Sequence, residues 1–224
     1  MIEAADLTLN LGGRCVLDGV SFTIAAGEAV ALVGPNGSGK SSLLRCLLGL
    51  FPYQGHVRIA GRDVALEPVA ARSLLGYLPQ RPAFGLATAR EVVTFAARLR
   101  GVRIQRITDV LHTVGLESRA DDRARDFSGG MQQRLSLAVA LLGDPPVLLL
   151  DEPTASLDRH GQDVFLEIVA GLRQRGRTLL VASHRSEEIA RVTDRVLAVE
   201  DGNVLHVARN VPLTALAIVP GVAS

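Results

Sequence analysis

The sequence predicts an α/β fold built on a mostly parallel sheet, with an antiparallel β region near the N-terminus and an inserted helical segment. Three observations carry this. Short apolar runs alternate with helix-period stretches over most of the 224 residues. Val147 to Leu150 and Thr178 to Ala182 are apolar at every position, as strands covered on both faces are. Between about Thr88 and Gly143 the pattern turns almost wholly helical.

Taken in order, Val16 to Ile24 alternates and reads as an antiparallel strand, with His56 to Ala60 of similar character. Ala29 to Val33 is an apolar strand that runs into a glycine-rich turn. Ser41 to Leu50 reads as a helix with Leu43, Leu44, Leu47 and Leu48 on one face. Ala89 to Arg100, Ile104 to Val114 and Met131 to Leu142 are three further helices, and Val196 to Val199 is a last strand. The expected organisation is a single domain over 1–224. Residues 1–84 and 141–210 form the core, 85–140 the helical insert, and 211–224 a short tail with Pro212 and Pro220.

Composition excludes several classes. At 48% hydrophobic and 21% charged residues the chain has enough apolar material to bury a core, so it is not disordered. A net charge of +1, 4% aromatics and no Trp leave neither a cationic field nor a stacking platform, so no nucleic-acid partner is expected. Cys15 and Cys46 are too few for a disulfide scaffold and fit a reducing compartment. Met1 is followed by Glu3 and Asp6 rather than by a basic and then an apolar stretch, so no targeting segment is expected. No run approaches the ~18 apolar residues of a membrane span. Mean hydropathy is nevertheless +0.27, which points to extensive buried sheet or to apolar surface awaiting a partner.

The chemistry begins at Gly34-Pro35-Asn36-Gly37-Ser38-Gly39-Lys40-Ser41, which fits G-x-x-x-x-G-K-[ST] between a strand and a helix. Gly37 and Gly39 let the backbone curl so that successive N–H groups face an anion, and the helix N-terminus adds its dipole. Lys40 is the only lysine; every other basic residue is Arg. A compact ammonium suits the β- and γ-phosphates of a nucleotide where a planar guanidinium does not. Ser41 supplies a hydroxyl for Mg²⁺, and Ser42 continues the loop into the helix.

Val147 to Leu150 ends in Asp151 and Glu152. Ligands of open α/β sheets sit at the carboxyl ends of strands, which sets both acids beside the phosphate loop. Asp151 suits Mg²⁺, and Glu152 suits a general base for an attacking water. The pair reads as two roles because alternate side chains leave a strand in different directions. Phe127-Ser128-Gly129-Gly130-Met131 opens a helix, with Ser128 as its N-cap and free N–H groups at the glycines. One nucleotide has no need of this second anion-binding terminus, unless it serves a nucleotide held by another copy.

This constellation resembles the ATP-binding cassette of ABC transporters over almost the whole chain. The signature is FSGGM where the commonest form is LSGGQ, so Phe127 and Met131 depart while Ser128, Gly129 and Gly130 are intact. The resemblance implies a P-loop NTPase fold and ATPase activity with ATP and Mg²⁺. It implies that Gln80 is the Q-loop glutamine near the metal, that Asp158 in Ser156-Leu157-Asp158 belongs to a loop crossing a dimer interface, and that His184 is a switch histidine for Glu152 and the γ-phosphate. It further implies head-to-tail pairing with a second copy, each ATP lying between Lys40 of one and Ser128–Gly130 of the other. A transmembrane permease would dock in a groove near Gln80 and the helical insert, holding the chain at the cytoplasmic face of the membrane. Phe84 and Leu86 are candidate contacts in that groove. Export is the favoured direction; an importer cassette and a soluble ABC ATPase acting as an assembly switch are the alternatives. The family usually stacks an aromatic on adenine. Leu11 stands at that position, so the base would rest on Leu11, Val16 or Arg14. His56, His112, His160 and His206 match no motif and show no metal-ligand spacing.

Overall fold

The computed structural model describes residues 1–184 and 191–207. The expected tail at 211–224 and the last three residues of the expected core, 208–210, lie outside them.

Two sheets form the scaffold. Strands β1 (Ile2–Leu11), β2 (Arg14–Ile24), β4 (Gln54–Ile59) and β5 (Arg62–Asp63) make an antiparallel sheet in the order β2-β1-β4-β5. The second sheet holds β3 (Ala29–Val33), β6 (Leu75–Leu78), β7 (Val147–Asp151), β8 (Thr178–Ala182), β9 (Arg195–Glu200) and β10 (Asn203–Val207) in the order β10-β9-β3-β8-β7-β6. All of its neighbours are parallel except β10, which returns antiparallel beside β9. The strand order places β3, with the phosphate loop at its end, next but one to β7 with its two acids.

The helices are α1 (Lys40–Leu47), α2 (Pro68–Ser73), α3 (Ala89–Leu99), α4 (Gln105–Thr113), α5 (Gly129–Leu141) and α6 (Arg159–Gln174). Alternate residues of the central strands feed two cores. Val147, Leu149, Leu180 and Ala182 face α1 and the antiparallel sheet. Leu148, Leu150, Leu179 and Val181 face the opposite layer, which contains α3, α4, α5 and α6. Both faces of β7 and β8 are therefore dry, which is why these runs lack polar alternation. The three helices of the insert share one continuous apolar cluster with this face of the sheet, through Val93, Ile107, Leu111, Leu135 and Leu141.

Polar links fix the edges. The Arg195 guanidinium, on β9, pairs with Glu28 at 2.8 Å and donates to Thr23 O at 2.6 Å, tying β9 to the turn before β3. Arg177 donates to Asp144 O and Pro145 O, locking the start of β8 to the turn before β7. α3 begins with a full capping box. Thr88 Oγ1 accepts from the Glu91 N–H, and the Glu91 carboxylate accepts from the Thr88 N–H at 2.8 Å. The predicted first helix stops three residues early, at Leu47, because Gly49 adopts φ +65° and turns the chain out. No helix among the described residues is long and apolar enough to cross a membrane.

Candidate functional site

The phosphate loop is shaped by two crowded glycines. A Cβ on Gly34 would sit 2.2 Å from the Val199 carbonyl oxygen, so no larger residue fits between β3 and β9 there. Gly39 takes φ +108° as the residue preceding α1, against Val16 and Leu17 of β2. Lys40 follows, 6% exposed, and its ammonium donates to Gly34 O at 2.7 Å and Pro35 O at 3.0 Å. Burial pulls the Lys40 pKa below its ordinary value, while the charges of Glu152 and Asp151 act the other way.

Asp151 closes β7 at 2% exposure. The Ser41 hydroxyl donates to its Oδ1 at 3.0 Å, and the Tyr77 hydroxyl lies 3.4 Å from its Oδ2. Burial raises the Asp151 pKa, opposed by the Ser41 hydrogen bond, the Arg45 charge, the Tyr77 hydrogen bond and the Lys40 charge. The donors thus favour the charged carboxylate that burial disfavours.

Glu152 leaves the strand by a route the sequence did not indicate. Simple pleat alternation does not separate the two acids, because Glu152 has a left-handed backbone at φ +46°, rare for a residue with a side chain. Its N–H donates to Ala182 O at 2.8 Å, holding the turn against β8. The next residues of that strand end, Ser183 and His184, then lie beside it. His184 Nδ1 stands 2.7 Å from Glu152 Oε2, and with an ionised carboxylate the ring nitrogen is the donor.

Asn36, Gly37, Gly39, Lys40, Ser41, Ser42, Gln80 and Glu152 line one cleft of about 230 Å³. The structure thus brings together the loop, the glutamine and the acid that the sequence singled out, with Asp151 bonded to Ser41 behind them. Gly34, Pro35 and Ser38 belong to the same loop without lining the cleft. Ser128, Gly129, Gly130 and Asp158 do not line it either. They form a second cluster. Ser128 Oγ accepts from the Met131 N–H at 3.3 Å, and Asp158 Oδ1 accepts from the Gly161 N–H at 2.9 Å. The two helix starts abut, for a Cβ on Gly129 would lie 3.5 Å from Ser156 O and one on Gly130 3.5 Å from Gly161 Cα.

The donor set suits a hard divalent cation that brings most of its own ligands. No group of three or more His, Cys, Asp or Glu residues is placed to hold a metal among the described residues. Ser41 instead offers a hydroxyl at the cleft and Asp151 a carboxylate bonded to it from behind, the kinds of donor Mg²⁺ uses when phosphates and waters complete its shell. Sequence reasoning overlooked Tyr77 and Arg45 around Asp151. The available signal was Tyr77 itself, a polar tip in the otherwise apolar strand Leu75–Leu78, three residues before Gln80. Of the two groove candidates, Leu86 is 67% exposed, but Phe84 packs partly buried against the helical core. Leu11 and Val16, on β1 and β2 of the antiparallel sheet, are both half-buried.

Comparison with known proteins supplies the family. The model of the family described as ABC transporter matches residues 17–155. The chain belongs to the ABC transporter family of ATP-binding cassettes. The cassette is 38% identical over 214 residues to Nod factor export ATP-binding protein I of Rhizobium meliloti (strain 1021), covering 93% of this chain and 64% of the relative. It is 32% identical over 219 residues to the linearmycin resistance ATP-binding protein LnrL of Bacillus subtilis (strain 168), covering 95% and 70%. The chain therefore spans about two thirds of the length of such relatives. Among solved structures, an ATP-binding subunit of an ABC transporter superposes with TM-score 0.85 at 28% identity, covering 97% of this cassette and 98% of that chain. A bacterial Atm1-family ABC exporter with ATP bound gives TM-score 0.81 at 26% identity, covering 92% of this cassette and 38% of the exporter.

Proposed function

We propose that this cassette binds and hydrolyses ATP to drive export through a separate membrane subunit. The observation that carries the reading is the cleft in which Lys40, Ser41, Gln80 and Glu152 converge, with His184 bonded to Glu152 from behind. Residues 34–42 cradle the phosphates through backbone N–H groups, and Lys40 exchanges its loop carbonyls for phosphate oxygens. Ser41, Asp151 and Gln80 would hold Mg²⁺, which would supply neutralisation of phosphate charge. Glu152 accepts the proton of the attacking water. His184 orients that carboxylate and contacts the γ-phosphate.

The second cluster completes a site in another copy of the chain. Ser128, Gly129, Gly130 and Asp158 face the nucleotide held by Lys40 of the partner, so the γ-phosphate becomes the contact that distinguishes closed from open. Within the chain, residues 85–140 act as a helical unit carrying the permease surface. A groove of about 600 Å³ between α2 and the end of α3, lined by Val69, Arg72, Leu75, Leu99, Arg100 and Val102, offers apolar area with cationic edges, and the expected contacts Gln80, Phe84 and Leu86 do not line it. Leu86, Phe95 and Leu99 stand 64–73% exposed near the same insert, which accounts for part of the high mean hydropathy. Export is favoured over import by the relatives named for Nod factor export and linearmycin resistance, and attachment to a permease would hold the cassette at the cytoplasmic membrane face.

The test is recovery of tagged Glu152→Gln protein from native membranes with Mg-ATP, followed by mass spectrometry. Co-purification of a multi-span membrane protein supports the transport reading. Recovery of soluble partners alone, with the bait absent from membranes, favours an assembly switch instead.

A further inference from the structure

Asp151 is restrained by side chains from two directions. Ser41 holds Oδ1 at 3.0 Å from the helix side, and Tyr77 approaches Oδ2 at 3.4 Å from the neighbouring strand. The strands β6 and β7 run parallel in fixed register, Tyr77 opposite Leu149 and Leu78 opposite Leu150, so the phenol reaches along the sheet toward the strand end. Its ring is partly buried in the core beneath α1. The hydroxyl also meets Arg45 of α1, whose guanidinium lies 5.7 Å from the centre of the Phe51 ring.

The two restraints differ in one respect. Ser41 would give the metal a lone pair of its hydroxyl in the proposed reaction while its O–H stays on Asp151, so that restraint would itself sit in the metal's shell. Tyr77 lines no part of the cleft, and its hydroxyl reaches Asp151 from outside that shell. It also stands three residues before Gln80, which does line the cleft, so one short segment carries both the carboxylate's anchor and a cleft residue.

We propose that Tyr77 is a positioning residue that fixes the Asp151 carboxylate for Mg²⁺ and couples the segment bearing Gln80 to the metal site. The proposal rests on the reading of Asp151 as the metal carboxylate. A phenol donor aimed at a ligating carboxylate selects the carboxylate's orientation without itself touching substrate, and removal of such outer-shell partners weakens metal binding by about 10- to 100-fold.

The experiment compares the full chain with Tyr77→Phe and Asp151→Asn. Phenylalanine keeps the ring and removes only the hydroxyl. Mn²⁺ affinity of the protein–ATP complex is read by paramagnetic resonance, and ATP affinity is read separately in chelator. The expected result for Tyr77→Phe is about a 10-fold loss of Mn²⁺ affinity with metal-free ATP affinity and melting temperature unchanged. Hydrolysis should then fall at low Mg²⁺ and recover at saturation, a shift in metal requirement rather than in maximal rate. Unchanged Mn²⁺ affinity in Tyr77→Phe alongside a loss in Asp151→Asn overturns the role of Tyr77 alone. Unchanged Mn²⁺ affinity in Asp151→Asn overturns the metal reading and this proposal with it. A fall in metal-free ATP affinity together with melting temperature in Tyr77→Phe shows a packing role and also overturns it.

Discussion

At the scale of single residues, the site is a set of groups held against their own preferences. Lys40 and Asp151 are buried ions whose pKa values are moved by desolvation, and Glu152 adopts a backbone region that side chains avoid. Such arrangements persist when neighbours over-determine them. Gly34 shows how little room is left: Gly34→Ala puts a Cβ 2.2 Å from the Val199 carbonyl, so the loop or β9 must move. The expected outcome is loss of ATP binding with a melting temperature below that of the parent, read by nucleotide titration and thermal unfolding. Glu152→Gln keeps the size of the side chain and removes the base. It should lower hydrolysis by about 10²- to 10⁴-fold while ATP binding stays near the parent value, measured by turnover and by equilibrium binding. Near-normal hydrolysis in this variant would move the base assignment elsewhere.

At the scale of elements, legibility followed burial. Ala29–Val33 and Thr178–Ala182 were readable to the residue because central parallel strands are apolar on both faces and end at turns. β1 was harder. Its register shifts around Asp6, which takes φ +51°, so the period-two pattern is broken where it would be read. α6 carries Gly161 and Gly171 inside its span, which blurs the helical signal. The phosphate loop, Asp151 and Glu152 were visible because chemistry fixes residue type and spacing together. Gln80, Asp158 and His184 became visible only through family resemblance. The Tyr77 contact was not, since it joins residues 74 apart on neighbouring strands. The capping box of α3 gives a prediction at this scale. Thr88→Ala removes the acceptor for the Glu91 N–H and should cost about 1 kcal/mol in denaturant unfolding. An unchanged midpoint would show that tertiary packing through Val93 and Ala97 alone sets the start of this helix.

At the scale of the whole molecule, two clusters at separate places in one chain organise the account. The cleft carries the loop, Gln80 and Glu152; the abutting starts of α5 and α6 carry Ser128–Gly130 and Asp158. The core beneath α1 also sets the response to alkali. Burial raises the Cys46 thiol to about 11 and the Tyr53 phenol to about 12, the latter helped by the Asp63 and Cys46 charges. Each binds its proton more tightly in the fold than in the unfolded chain. Their contribution is therefore whole below about pH 9, where the unfolded thiol begins to ionise, and is lost as pH rises toward about 11 and 12. Melting temperature should fall over that window, and the combined Cys46→Ala and Tyr53→Phe substitutions should flatten the slope whatever their effect at neutrality. A slope identical to the parent's would assign the alkaline loss to other groups.

A second cluster that completes the nucleotide site of a partner copy requires ATP to join two chains. Light scattering of the Glu152→Gln protein with Mg-ATP tests it most directly. The expected result is about twice the single-chain mass with ATP and the single-chain mass without it. Adding Ser128→Arg should return the ATP-bound sample to the single-chain mass. A Glu152→Gln protein that binds ATP but stays single, or a dimer that survives Ser128→Arg, would contradict the shared site.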